Sequence, residues 1–344
     1  MALVAAREAL QSAGLANGEL SEEDRLNTGV VVGTGGGGID FAEEQYEAYF
    51  QRKGRGASAF AISSSFAGTL SSEISIDLGL EGPSHVLSTG CTASTDAIGY
   101  AFNSIRFGLN DCLITGGADS CITPGLLASF CMMKVVSTGF NDEPTRASRP
   151  FTLDRDGFVL GEGAWMLVLE ESERARRRGA TILAEVAGYG STCDAYHRVR
   201  IRPDATGPAR AMERAVADAG LAKEAVGYVN LHGTSTPLND RLETKAVKLA
   251  FGLYAKKFAM SATKSMIGHP QGACGAAGAV ATVLALKEGF LPPTANLDNP
   301  DPECDLDYIA NHGRQTEVET ALCNCIAFGS KNSALVLRAA NGKF

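Results

Sequence analysis

One cysteine among nine in the chain stands where chemistry could be done. Cys91 lies in Ser88-Thr89-Gly90-Cys91-Thr92-Ala93-Ser94, between a short apolar run and a helical pattern. At such a junction the side chain is presented on a sharp turn at the helix start. Backbone N–H groups and the positive end of the helix there favour negative charge on sulfur or on an oxyanion. The small neighbours leave room for a substrate. Two histidines occupy comparable places. His232 follows the apolar run Gly227–Leu231 and opens the loop His232-Gly233-Thr234-Ser235-Thr236-Pro237, and His269 closes Thr263-Lys264-Ser265-Met266-Ile267-Gly268-His269 before a Gly/Ala-rich stretch. Taken alone, a cysteine at a helix start is more often structural, and each histidine alone reads equally well as a satisfied loop residue. All three sit just past the ends of strand-like runs, where α/β proteins build their sites.

The elements that must hold these residues are legible as alternating β and α patterns. Thr28–Gly33 is a β-branched run that ends in a glycine series containing Gly36. His85–Ser88, Asp111–Gly116, Ala164–Leu169, Ile182–Tyr189, Gly227–Leu231 and Lys257–Ser261 read as further strands, and Ala321–Ala327 with Ser333–Arg338 as a hairpin. Helical patterns cover Ala2–Ala13, Thr92 to about Phe107 and Gly207–Ala219. Continuous apolar strands between helices imply α/β sheets covered on both faces. The polar stretch Glu170–Arg178 is the expected boundary between two halves, 1–175 and 176–344, and its arginines Arg174, Arg176, Arg177 and Arg178 read as a solvated helix end.

Composition narrows the function classes. Among 344 residues, 31 Lys+Arg against 39 Asp+Glu leave a net charge of −8, a poor balance for wrapping nucleic acid. The longest uncharged apolar stretch, Gly272–Leu286, is short and rich in Ala and Gly, so it reads as a packed internal helix and not as a membrane span. The opening residues carry charge and lack a secretory apolar core, which points to the cytoplasm. The cysteines form no paired framework, and Cys323 and Cys325 alternate along a strand instead of forming a CxxC metal knuckle. Eight of the nine cysteines read as reduced, buried, small hydrophobes, and no metal site is expected.

Three stretches together carry a family resemblance: GCTAS around Cys91, HGTSTPLND from His232 and TKSMIGH ending at His269. Supporting stretches are ASRPF from Ala147, RDGFVLGEGA from Arg155, NPDPECDLDY from Asn299 and AFGSKNSALVL from Ala327. In motif order and spacing the chain, from about Ala2 to Arg338, resembles the β-ketoacyl-[acyl carrier protein] synthases, the ketosynthases of fatty acid and type II polyketide assembly. The resemblance implies a thiolase-like fold of two related βαβαβ-type halves in a layered α-β-α-β-α arrangement, with five-stranded sheets. It also implies an N-terminal part shortened by a strand and a helix.

The implied reaction is decarboxylative Claisen condensation of malonyl-carrier protein with an acyl group on Cys91. His232 and His269 would donate to the enolate, and backbone N–H groups of Cys91 and Phe328 would hold the tetrahedral oxyanion. Lys264 would tune the site by its charge. Thr234 and Thr236 match the hydroxyls that hold the phosphopantetheine arm of the carrier, no cofactor being bound by the enzyme itself. Gly36 and Phe130 fall at acyl-pocket positions. Arg52, Lys53, Arg55 and Lys134 fall where relatives dock the acyl carrier protein. The expected assembly is a homodimer or a heterodimer with a chain-length-factor-like subunit.

The chain departs from the family pattern in specific places. Ala327 and Ser330 replace glycines around Phe328, restricting a gating loop, and Lys331 adds charge. Gly278 stands nine residues after His269, where relatives carry a Glu partner for the lysine. Gly36 replaces a bulky aliphatic residue and implies an opened acyl pocket. Gly268-His269-Pro270-Gln271-Gly272 favours the type II polyketide or specialised fatty acid reading. The alternatives are a non-catalytic chain-length-factor-like partner, which typically lacks the cysteine, and a Cys-His acyltransferase or hydrolase, in which a second histidine has no use. Arg198, Arg200 and Arg202 have no counterpart in the pattern.

Overall fold

The computed structural model describes residues 1–15 and 20–340. The chain passes back and forth between two compact units. Met1–Met133, Leu160–Thr181 and Pro270–Ala273 form one, and Lys134–Val159, Ile182–His269 and Cys274–Phe344 form the other.

The first unit contains, in order, α1 (Ala2–Ser12), β1 (Thr28–Gly33), β2 (Ser84–Leu87), α2 (Ala93–Arg106), β3 (Cys112–Asp119), α3 (Pro124–Met132) and β4 (Gly163–Glu170). Its sheet runs β2-β1-β3-β4, with β1 parallel to both β2 and β3, and β4 antiparallel to β3. Every residue of β1 is buried, as its unbroken β-branched run requires of a strand covered on both faces. Ala6 and Leu10, one helical turn apart, seat α1 on Val30, Val32, Ile114 and Met166. Gly33 ends β1 against the start of α2, where a Cβ would lie 2.3 Å from the backbone nitrogen of Ser94. Only glycine lets the strand come that close to the helix that follows Cys91.

The second unit adds β5 (Ala184–Cys193), α4 (Thr206–Asp218), β6 (Tyr228–Asn230), α5 (Pro237–Phe251), β7 (Ala259–Ser261), α6 (Cys274–Glu288), β8 (Thr320–Ala327) and β9 (Lys331–Ala339). Its sheet runs β5-β9-β8-β6-β7. Strands β7, β6 and β8 are parallel, and β9 turns back antiparallel on β8 as the expected hairpin. The core under this sheet gathers Met212, Val229, Leu231, Phe251, Met260, Leu322 and Val336. The Gly/Ala-rich stretch is indeed an internal helix, α6, with ten buried residues.

The two sheets share one pattern: three parallel strands and an antiparallel fourth. The second sheet extends this with β5. Five strands were expected in each half; among the described residues the first sheet has four, and β4 forms its edge. Two further expectations change. Arg174 and Arg178 are not a solvated helix end: both bind Glu170, Arg174 reaches Asp24 at 2.6 Å, and Arg178 donates to the carbonyl of Ala13 at 2.7 Å. Cys131 and Cys193 are exposed, so six and not eight of the remaining cysteines are buried.

The supporting motifs brace the loop after β6. The side chain of Arg155, 1% exposed, donates to Asp301 at 2.7 Å and to the carbonyls of Thr236 and Pro237 at 3.0 and 2.9 Å. Asp240 accepts from the backbone of Phe151 at 2.9 Å. Breaking a buried ion pair by removing one partner leaves an uncompensated charge. Arg155→Met is therefore expected to destabilise the protein by about 3–5 kcal/mol in urea unfolding; a change below about 1 kcal/mol contradicts this bracing role.

Candidate active site

Cys91 lies in a single 3₁₀ turn, Gly90–Thr92, that leads directly into α2. Gly90 takes a φ of +75°, which sets the sharp turn, and Cys91 is 6% exposed. Thr89 donates to Asp96 at 2.5 Å and Thr92 donates back to the carbonyl of Thr89 at 3.0 Å, so the turn is tied at both ends. The glycine series packs in the same unit: Asp119 accepts from the Thr34 hydroxyl at 2.6 Å and from the amides of Gly35 and Gly36 at 2.8 and 2.9 Å. At Gly36 an added Cβ would meet the Cys121 sulfur and Ile39, each at 3.0 Å. Phe130 is half-buried on α3, and Arg52, Lys53 and Arg55 are exposed after the helix Ile39–Gln51.

In the second unit the structure brings His232, His269 and Lys264 together. The two imidazoles stand edge to face, with ring centroids 5.4 Å apart and planes at 88°. Both are buried. His269 donates its backbone N–H to the carbonyl of Val159 at 2.7 Å, and its ring packs edge-on against Phe158. The segment Lys264–Ile267 is one helical turn after β7, and it buries Lys264.

Glu243, which sequence reasoning missed, fixes the His232 loop. Its carboxylate accepts from the amides of His232 and Gly233, both at 2.7 Å, and from the side chain of Asn324 at 2.7 Å. Glu243 is 0% exposed. Burial pushes its carboxyl above the usual range, and the amide donors pull against that shift. The signal was present in the sequence: Glu243 follows His232 by eleven residues, one helix into HGTSTPLNDRLE.

Burial, followed by the Lys264 ammonium, lowers His232 to about 3, so its ring is neutral at ordinary pH. Burial opposes the Lys264 charge, yet Cys274, Cys325 and Glu243 raise the ammonium overall. A side chain at position 278 would require its neighbours to shift. A Cβ there would lie 2.9 Å from the Cys323 sulfur and 3.2 Å from Asn230.

Thr234 and Thr236 lie side by side, hydroxyls 3.0 Å apart, and Thr236 caps α5 by accepting from the Asn239 amide. Phe328 is half-buried in the β8–β9 turn. Next to it, Ser330 at φ +65° accepts from the amides of Tyr196 and His197 and donates to the His197 carbonyl at 2.8 Å. Gly329 donates to the Arg198 carbonyl at 2.7 Å. The loop carrying Arg198, Arg200 and Arg202 thus clasps the turn that carries Phe328. Lys134 is exposed.

The N-terminal domain of the β-ketoacyl synthases matches residues 1–175, and their C-terminal domain matches residues 183–298. The chain belongs to the β-ketoacyl synthase family. It is 44% identical over 337 residues to 3-oxoacyl-[acyl-carrier-protein] synthase 2 of Synechocystis sp., spanning 98% of this chain and 80% of that relative. It is 43% identical to the enzyme of the same name from Coxiella burnetii, with the same coverage. Among solved structures it is similar to a type II polyketide ketosynthase in complex with its acyl-carrier protein and bound to a hexaketide. The TM-score is 0.94 at 33% identity, covering 98% of this chain and 84% of that one. A β-ketoacyl synthase from Burkholderia phymatum aligns with a TM-score of 0.91 at 36% identity, covering 99% and 81%. The fold is thiolase-like, as the motifs implied.

A folded-state pKa below the unfolded value makes the unfolded chain the better proton acceptor, so stability falls as pH falls. For His232 the window runs from about 6.5, the unfolded imidazole, down to about 3. In metal-free buffer, each pH unit inside that window is expected to remove up to about 1.4 kcal/mol. His232→Gln is expected to flatten the slope. An unchanged slope in the variant contradicts the buried neutral ring.

Proposed function

We propose that this chain is a 3-oxoacyl-[acyl carrier protein] synthase in which Cys91, His232 and His269 act in turn on one acyl group. The Cys91 sulfur attacks the acyl thioester, the carrier thiol leaves, and an acyl-enzyme remains. Malonyl-carrier protein then loses CO2. The resulting enolate oxygen takes hydrogen bonds from the two imidazoles, and the enolate carbon attacks the acyl carbonyl. The Cys91 sulfur leaves, and a 3-oxoacyl thioester departs on the carrier. The backbone N–H groups of Cys91 and Phe328 hold the tetrahedral oxyanion.

The observation that carries this reading is the pair of buried rings, one of them held neutral by burial and by Lys264. Neutral imidazoles donate to a developing enolate without protonating it early. A Cys-His hydrolase has no use for the second ring, and a chain-length-factor-like subunit has no use for the nucleophile.

The hydroxyls of Thr234 and Thr236 receive the phosphopantetheine arm. Phe130 and the Gly36 loop, walled by Cys121 and Ile39, meet the acyl chain. The exposed Arg52, Lys53, Arg55 and Lys134 attract the acidic carrier protein to an enzyme of net negative charge. Relatives support a paired assembly: one solved neighbour is a ketosynthase with its chain length factor, 34% identical with a TM-score of 0.89. We infer a homodimer or such a heterodimer, acting in type II polyketide or specialised fatty acid synthesis. No helix among the described residues is long and apolar enough to cross a membrane, and the described cysteines form no disulfide, in keeping with work in the cytoplasm.

Incubation with acyl- and malonyl-carrier protein is expected to give an acyl adduct on the intact protein, mapped by digestion to Cys91, and a 3-oxoacyl product. Cys91→Ser is expected to show neither. Free acid as the sole product would mean hydrolysis, and an absent adduct would mean a partner subunit.

A further inference from the structure

Behind His232 the second unit holds two thiols that the condensation does not use. The Cys325 sulfur on β8 lies 3.5 Å from Nδ1 of His232 and 3.6 Å from the Cys274 sulfur at the start of α6. These residues are 93 and 51 positions apart in sequence, so no CxxC spacing announces them. One donor atom from each of His232, Cys274 and Cys325 lies within 4.8 Å of the others. All three side chains are more than nine-tenths buried. Cys323, which shares the β8 face, is directed elsewhere, with its sulfur 3.9 Å from the Gly275 carbonyl.

We propose that Cys274, Cys325 and Nδ1 of His232 form a binding site for a borderline-soft d¹⁰ cation of the zinc class. The donor set matches the chemistry, since thiolate and imidazole are the ligands such ions select. The spacing matches as well. Zinc bonds of about 2.3 Å to sulfur and about 2.0–2.1 Å to nitrogen, at the tetrahedral angle, give edges of about 3.8 Å between sulfurs and about 3.6 Å from sulfur to nitrogen. The observed edges, 3.6 and 3.5 Å, need only small shifts. Binding forms two metal–sulfur bonds to thiolates and one metal–nitrogen bond, and any proton still carried by either sulfur is released to solvent. Three protein ligands leave a fourth position for water. A cation on Nδ1 leaves the ring proton on Nε2, the donor form that condensation requires of His232. That consequence rests on the proposed function, whereas the binding does not.

The test is titration of the whole chain with Zn²⁺ against a chromophoric chelator, together with Co²⁺ as a spectroscopic probe. One Zn²⁺ per chain is expected, with a thiolate-to-cobalt charge-transfer band. Cys274→Ala and Cys325→Ala are each expected to weaken binding at least tenfold and to lose the band, whereas Cys91→Ala keeps both. Should a variant fail to fold, Zn²⁺ is still expected to protect Cys274 and Cys325 of the unaltered protein from alkylation, read by peptide mapping. Binding that survives both substitutions, or that is lost in Cys91→Ala, overturns the site. So does an intact mass 2 Da low, mapping a Cys274–Cys325 disulfide in place of bound metal. Because these readouts are binding and labelling, their failure leaves the condensing activity standing.

Discussion

The structure depends on one buried carboxylate. Glu243 sits on α5 and accepts hydrogen bonds from the amides of His232 and Gly233 in the loop after β6 and from Asn324 on β8. It thereby ties the loop of His232 to the helix that follows it and to the neighbouring strand. An unsatisfied buried donor costs about 1–3 kcal/mol, so these donors, joined by the Asn239 side chain at 3.3 Å, leave the loop little freedom. The outer layer works to the same end, with Arg155 bridging Asp301 and the carbonyls of Thr236 and Pro237, and Asp240 holding Phe151. The motif stretches far from the histidines are the braces of one loop.

Much of this was legible in the sequence because local rules decide it. The β-branched run Thr28–Gly33 appears as a strand with the same ends, and the hairpin around the Gly-Ser-Lys turn pairs Ala327 with Lys331. The histidines stand past strand ends, as parallel sheets demand. What escaped is what contact alone decides. Glu243 looks like any helical Glu until its burial is seen. Arg174 and Arg178 look like a solvated face, yet Glu170 at the end of β4 draws them in. Cys325 looks like a strand hydrophobe, although it faces His232 from 93 residues away.

The departures from the family pattern are compensated by neighbours. At position 278 the volume is taken by Cys323 and Asn230, and Lys264 finds its charge balance in Cys274, Cys325 and Glu243 instead. At position 330 the serine tolerates a left-handed φ of +65° because its hydroxyl is held from three sides by Tyr196 and His197. The Arg198–Arg202 loop, with no counterpart in the pattern, acquires a structural purpose there: it fastens the turn that bears Phe328.

The central claim of the proposed function is that the Glu243-held loop positions His232 for decarboxylation and condensation, while acyl transfer to the thiol proceeds without it. Partial rates in folded Glu243→Gln separate the two. The account predicts acyl transfer to Cys91 within about tenfold of the unaltered protein, and malonyl decarboxylation slowed by about 10²-fold or more, the scale of a lost oxyanion donor. Equal slowing of both steps, or of neither, contradicts it.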